Sequence, residues 1–239
     1  MRNIIIGDIH GCREAFERLL YEIGFDRREN ALILLGDLLD LGPDPCGTYA
    51  AVRSLKEEMQ DRMVILRGDH EQMMLDALLP TRGQIANGLI WRENGGRETT
   101  ASFRERKLSP GKAAAWIRDN TRTWYDEGQF LCAHGDVRDE IIWNNAALDL
   151  IWGNEGVRMN DYRGRLALVG LTQVEVPTFF DGSGGEPSFH PQCGTWYELP
   201  ARGMIALDTG AGSGGALTAM ITENGWMRFE RIPDKGEEI

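Results

Sequence analysis

The chain has 239 residues, with 26 Lys and Arg against 37 Asp and Glu, a net charge of −11, and 42% apolar residues. That is enough apolar chain for the core of one sizeable α/β domain, and too much for a disordered one. The acidity argues against a nucleic-acid polymer or an anionic membrane as partner. No apolar run approaches the roughly 20 residues that cross a bilayer, and the opening run to Ile6 is too short for a signal peptide. Cys12, Cys46, Cys132 and Cys193 are scattered with no C-x-x-C pair. They read as reduced thiols in a cytoplasmic protein, neither a disulfide frame nor a zinc cluster. An anionic ligand would need a local cationic device, and with few basic clusters on hand bound metal is the natural candidate.

The pattern predicts a strand over Asn3–Ile6 and then a helix in which Phe16, Leu19, Leu20 and Ile23 form one stripe closed by Gly24. A second strand is predicted over Ala31–Leu35 and a helix through Val52, Leu55 and Met59. A third strand over Met63–Leu66 leads into a helix carrying Met73, Met74, Leu75 and Leu78. Strands alternating with helices argue for parallel βαβ units. The stretch from about 79 to 127 reads as mostly helical, a cap-like insertion with Trp116, Ile117 and Trp124 on one face. Short strands follow at 130–133, 166–169, 204–207, 216–222 and 226–231, the last two as a hairpin around Glu223-Asn224-Gly225. Residues 181–187 read as a loop and 234–239 as a frayed tail. With no repeat and no boundary, the whole of 1–239 reads as one domain.

The chemistry lies in what ends each strand. The first four predicted strands run into Gly7-Asp8-Ile9-His10-Gly11, Gly36-Asp37-Leu38-Leu39-Asp40, Gly68-Asp69-His70-Glu71 and Ala133-His134-Gly135-Asp136. Ligands of open α/β sheets bind outside the carboxyl ends of the strands, so four consecutive strands would deliver carboxylates and imidazoles to one edge. Carboxylates gathered there cannot all stay ionised without a cation, and an Asp/His mixture suits Mn, Fe or Zn. A single Gly-Asp after a strand is ordinarily a turn or an N-cap. Here, however, three of the four histidines fall within three residues of a strand-end glycine. Two metals a few ångströms apart would clamp a phosphate and activate a water.

The first three of these segments, with the second extended through Leu41-Gly42-Pro43-Asp44, resemble the three signatures of the calcineurin-like metallophosphoesterases. The branch most like it is that of bacterial phosphoprotein phosphatases and diadenosine-tetraphosphatase-like enzymes. The stretch from Trp91 to Thr99 is similar to a cap segment of that branch, and Leu207-Asp208-Thr209-Gly210-Ala211 with Gly214-Gly215-Ala216-Leu217-Thr218 is similar to its closing motif. The resemblance implies a four-layer α/β/β/α sandwich with a small helical cap. It also implies two divalent metal ions, manganese first and iron or zinc as alternatives. By position, Asp8, His10 and Asp37 would hold one ion. Asp37, bridging, would hold the other with Asp69 and His134. His70, oriented by Asp40, would protonate the leaving group while a hydroxide between the metals attacks phosphorus. The implied activity is a phosphatase on a phosphoprotein or a small phosphorylated or nucleotide substrate.

The departures from the pattern point the other way, towards an impaired phosphatase kept as a binding or regulatory module. Leu41 and Asn154 stand where the family carries phosphate-binding arginines, Asp69 where it carries asparagine, and Leu171 where it carries a metal-binding histidine. His190 is a candidate replacement ligand, and Arg97, Arg158 and Arg163 are candidate phosphate contacts, with solvated surface residues as the default for each. Gly210 to Gly215 fits G-x-G-x-x-G, but an apolar strand-like run follows in place of a helix, so the dinucleotide reading fails. Cys132, inside an apolar strand, reads as packing and not as a nucleophile. The tryptophans read as core or cap packing.

Overall fold

A computed structural model of the chain describes residues 2–79, 88–154 and 158–234. In chain order the strands and helices are β1 (Arg2–Ile6), α1 (Arg13–Glu22), β2 (Asn30–Leu34), α2 (Pro45–Met59), β3 (Met63–Ile65), α3 (Asp69–Leu78) and α4 (Gly88–Trp91). Then come α5 (Arg97–Glu105), α6 (Pro110–Asn120), β4 (Trp124–Asp126), β5 (Leu131–Ala133), α7 (Asp149–Trp152), β6 (Ala167–Val169) and β7 (Thr178–Phe180). The chain closes with β8 (Tyr197–Glu198), β9 (Met204–Ala206), β10 (Ala216–Glu223) and β11 (Trp226–Pro233).

These strands form two sheets, ordered β3-β2-β1-β10-β11-β8 and β4-β5-β6-β9-β7. In the first, β1, β2 and β3 are parallel, with Ile5 opposite Ile33 and Ile33 opposite Val64, as the βαβ reading requires. In the second, β5, β6 and β9 are parallel, and β4 and β7 close the edges antiparallel. The period-two alternation of the strands sorts their side chains into layers. Ile4 and Ile6 of β1 pack with Phe16 and Leu19 of α1 and with Phe103 and Ile117 of α5 and α6. Ile5 faces the other way and packs with Cys132, Leu168 and Ile205 of the second sheet. The outer face of that second sheet, with Leu131, Ala167 and Met204, is covered by Val137, Ile142, Leu150 and Tyr162. The result is the expected four-layer α/β/β/α sandwich, with a thin fourth layer built of α7 and irregular chain.

Two expectations are corrected. The strand that delivers His134 does not extend the first sheet; β5 lies in the second, so the strand ends meet between two sheets and not along one. Trp124 belongs to β4, paired with Ala133, and not to a helical face with Trp116 and Ile117. Its eight-residue offset from Trp116 imitates two helical turns, but α6 stops at Asn120 and Thr121 is extended. The hairpin is as read: Glu223 pairs with Trp226 across Asn224 and Gly225, both at positive φ. The glycine-rich run before it indeed feeds strand β10 and no helix. The expected tail beyond Asp234, and residues 80–87 of the expected helical stretch, lie outside the described residues.

Candidate metal centre

Asp8 and His10 follow β1, Asp37 and Asp40 follow β2, Asp69 and His70 open α3 after β3, and His134 follows β5. All seven lie at the ends of the parallel strands, and the structure draws them together. Asp37 sits at the middle. Its Oδ2 is 3.5 Å from His10 Nε2 and its Oδ1 is 3.6 Å from His134 Nε2. Ligand-type atoms of Asp8, Asp37 and His134 lie within 4.8 Å of one another, as do those of His10, Asp37 and His70. Asp37 is common to both groups, which is the position a bridging carboxylate needs. Asp69 Oδ1 approaches His134 Nε2 at 3.3 Å.

The backbone is shaped to make this possible. Five of the eight non-glycine residues at positive φ among those described are His10, Asp37, Asp40, Leu41 and Leu171. Each is a strained conformation for an L-residue, and such strain collects where function over-determines the chain. The glycines of the motifs make room for carboxylates. A Cβ on Gly68 would fall 1.9 Å from Asp37 Oδ1, and one on Gly170 would fall 2.2 Å from Asp8 Oδ1.

The imidazoles are aimed by their other nitrogens. His10 Nδ1 is 3.2 Å from the Leu39 carbonyl and His134 Nδ1 is 2.9 Å from the Leu35 carbonyl. Both carbonyls accept, so each ring presents Nε2 to the cluster, the second-layer arrangement that prepares a histidine to bind metal. Asp40, fully buried, accepts from His70 Nδ1 (2.8 Å), from Trp91 Nε1–H (3.0 Å) and from the Thr99 hydroxyl. Glu71 is fully buried as well. It accepts the N–H groups of Asp37 (2.8 Å), Leu38 (2.8 Å) and Gly68 (3.0 Å), pinning the strained loop to the first turn of α3. The sequence marked Trp91 to Thr99 only as a cap-like segment and Glu71 only as the end of a signature, with no tie to Asp40 or Asp37. The third-residue glutamate of α3 also carries the signal of a helix cap.

The bare cluster holds more negative charge than its burial tolerates. Burial pushes the Asp8 carboxyl up to about 8 against the pull of His134, with Asp208 adding to the rise. Burial likewise holds Asp37 well above the usual carboxylate range. Burial disfavours charge on His70 too, but its hydrogen bond to Asp40 and the nearby Asp37 lift it to about 9. His134 is raised to about 9 by Asp8 and Asp69 in spite of burial, and the same pairing lowers Asp69 to about 2 although burial opposes it. His10, desolvated and beside His70, falls to about 3 and stays neutral. One atom is left over. Asp8 Oδ1 is buried and accepts no hydrogen bond, a costly state unless a cation takes that lone pair. The donor set therefore fits divalent metal: three carboxylates and two or three imidazoles, preset and short of positive charge.

The remaining candidates fall outside the cluster. Leu171 reaches it only through its backbone N–H, which donates to Asp8 Oδ2 at 3.1 Å. Asn154 donates its N–H to Asp136 Oδ2 at 2.6 Å. His190 is exposed and pairs with Thr178 Oγ1 at 3.2 Å, in neither ligand group. Arg163 donates to the Gly182 carbonyl, Arg97 is exposed at the start of α5, and Arg158 lines a cavity beside Leu171. Cys132 is buried between the sheets and its thiol is pushed up by burial, as packing requires. The tryptophans divide: Trp91 is buried on Asp40, whereas Trp143, Trp152, Trp196 and Trp226 are 40–74% exposed and do not pack the core.

Residues 1–183 match the family model of the calcineurin-like phosphoesterases. The chain is 38% identical over 92 residues to serine/threonine-protein phosphatase 1 of Salmonella typhimurium, a match spanning 38% of each protein. It is 26% identical to the symmetrical bis(5'-nucleosyl)-tetraphosphatase of Cellvibrio japonicus, over 94% of this chain and 97% of that one. Among solved structures it is similar to a metallophosphoesterase from Sphaerobacter thermophilus, at a TM-score of 0.62, 19% identity, and coverage of 97% of this chain and 88% of the other. It is also similar to a protein serine/threonine phosphatase from Saccharomyces cerevisiae, at a TM-score of 0.65, 12% identity, and coverage of 100% and 81%. No helix among the described residues is long and apolar enough to cross a membrane. With a family match over more than half its length and that family's two-sheet fold, the chain belongs to the calcineurin-like phosphoesterases, a family of hydrolases.

Proposed function

We propose that this protein is an active metal-dependent phosphatase that removes phosphate from a phosphomonoester, carried by a phosphoprotein or by a small phosphorylated or nucleotide molecule. Asp8, His10, Asp37, Asp69 and His134 hold two divalent ions, manganese first, with Asp37 shared between them. Bound ions supply Lewis-acid polarisation of the phosphate and an activated water. The protein's own residues do the rest. Glu71 holds the loop that presents Asp37. Asp40 fixes the tautomer and orientation of His70. A protonated His70 gives its proton to the oxygen that leaves phosphorus. The relatives support the substrate range, one being a serine/threonine-protein phosphatase and the other a bis(5'-nucleosyl)-tetraphosphatase. The unpaired cysteines support a cytoplasmic setting.

The observation that carries this reading is the His70–Asp40 pair. A fully buried carboxylate given three donors holds an imidazole against the ion-binding cluster, a device that a binding module has no use for. The alternative, a pseudophosphatase, is favoured by Leu41 and Leu171, which leave two positions beside the cluster without a cation or a ligand. The deciding experiment is hydrolysis of an aryl phosphate by metal-free protein resupplied with Mn²⁺, beside Asp37→Asn. The expected result is metal-dependent turnover that falls by a factor of at least ~10³ in the variant, the scale of losing a central electrostatic group. Metal-dependent binding of phosphate without turnover would establish the pseudophosphatase instead.

A further inference from the structure

A cavity opens beside Leu171. It has a volume of about 500 Å³, within the usual range for small-molecule sites, and its apolar walls include Trp152, Met159, Leu171 and Phe180. It begins one residue from the cluster, because the Leu171 N–H that it shares a residue with is bonded to Asp8. Trp152 is 40% exposed, an indole left open at the wall of a cavity. Most of the polar groups of the lining are already committed. Asp136 accepts the Asn154 N–H, and Asn160 spends its amide on Gly182 N–H and on the carbonyls of Gly185 and Glu186. The charged exception is Arg158, exposed, whose guanidinium makes no hydrogen bond or ion pair among the described residues.

We infer that this cavity receives the leaving group of the substrate, and that the leaving group is an aromatic ring bearing a second negative charge, which Arg158 meets. The inference rests on the metal-dependent phosphatase reading and narrows its substrate class. A seryl leaving group is small and polar and would leave these walls wet. A flat ring fills them and stacks against an indole. A plain ring would satisfy the walls but leave the guanidinium unused. An anion on the ring also needs its own cation here, since the Asp136 carboxyl lines the same cavity and the chain carries a net charge of −11. Arginine offers that anion a charge-assisted, two-pronged contact.

The test uses the full-length, metal-loaded protein and three non-hydrolysable probes, methylphosphonate, benzylphosphonate and 4-(phosphonomethyl)benzoate, titrated by calorimetry. Benzylphosphonate is expected to bind about tenfold tighter than methylphosphonate, and the carboxylated probe about tenfold tighter again, the scale of one charge-assisted contact. Trp152→Ala should remove the first step. Arg158→Gln should remove only the second, so that the two ring-bearing probes bind alike. Equal binding of all three probes, or a carboxylate advantage that survives Arg158→Gln, would overturn the assignment of the cavity. The underlying reading fails differently: methylphosphonate would then bind equally well with and without metal, whatever stands at position 158.

Discussion

The edges of the two sheets meet at one cluster, but they are built to different standards. The six-stranded sheet supplies Asp8, His10, Asp37, Asp40, Asp69 and His70, and it fixes them redundantly. Glu71 alone receives three backbone N–H groups, and Asp40 receives three donors from three different elements. The five-stranded sheet supplies one imidazole, His134, and a backbone N–H from Leu171. Beside that second edge the chain opens into a cavity with apolar walls. The difference separates two tasks. Binding ions and moving a proton tolerate little displacement, so those groups sit where hydrogen bonds over-determine them. Choosing what the phosphate is attached to is a matter of volume and surface, and it falls to the edge that carries few ligands.

The sharpest way to break the comparison is to loosen the rigid edge without touching a ligand. Glu71→Gln keeps the size of the side chain but turns one acceptor into a donor facing backbone N–H groups that have no other use. An unsatisfied buried pair of that kind costs about 2–4 kcal/mol. The expected outcome is a clear fall in the melting temperature and a loss of metal affinity of about 10–100-fold, as for other groups that orient ligands. Calorimetric Mn²⁺ titration beside a thermal melt checks both. Unchanged metal affinity with a lowered melting point would mean that Glu71 supports only the fold and that the edge is not a single device.

Much of the rigid edge was legible in the sequence. Five of its six candidate side chains stand within three residues of strand-end glycines, with Asp40 four from Gly36, and the structure shows why: the carboxylates of Asp8 and Asp37 occupy the space that a Cβ at Gly170 or Gly68 would take. The supports were not legible, because Trp91 and Thr99 reach Asp40 across 51 and 59 residues and no local pattern records a bond that long. The division into two sheets followed from the family resemblance, and the strand patterns hid it for a related reason. The run into β5 ends in the same kind of segment as β1, β2 and β3, and nothing in the periodicity of a strand says which sheet it joins. β7 and β8, at three and two residues, are too short to show a period at all.

A second test asks whether the rigid edge is built for cations or merely tolerates them. In the metal-free protein, Asp8 keeps its proton to about 8, and His70 and His134 keep theirs to about 9. An unfolded chain releases the same protons near 3.8 and 6.5. The folded state therefore binds more protons between about pH 6.5 and pH 9, and its stability falls as pH rises through that window. His10 and Asp69 have the opposite sign, but their effects end by about pH 6.5 and pH 3.8. Thermal melts in chelator should thus decline from pH 6.5 to 9, and saturating Mn²⁺ should flatten the decline by supplying the charge that the protons supplied. Parallel curves with and without metal would separate the cluster from the ions.

The smallest expected effect comes from moving the permissive edge towards the other. Leu171→His places an imidazole on a residue already held at positive φ, with its N–H bonded to Asp8. If the side chain turns to the cluster, it adds a neutral nitrogen ligand where the second edge now gives only His134. Mn²⁺ binding to the weaker of the two sites should then tighten about tenfold, within the range that ligand-orienting groups produce. The same turn withdraws an apolar wall from the cavity, so benzylphosphonate should lose part of its advantage over methylphosphonate. The two changes are linked through one side chain, because Leu171 both lines the cavity and sits above Asp8. Tighter metal with unchanged ring binding would show that the cavity does not depend on Leu171. Weaker ring binding with unchanged metal affinity would show a histidine that stays in the cavity, and a permissive edge whose backbone, not its leucine, keeps a second imidazole away from the ions.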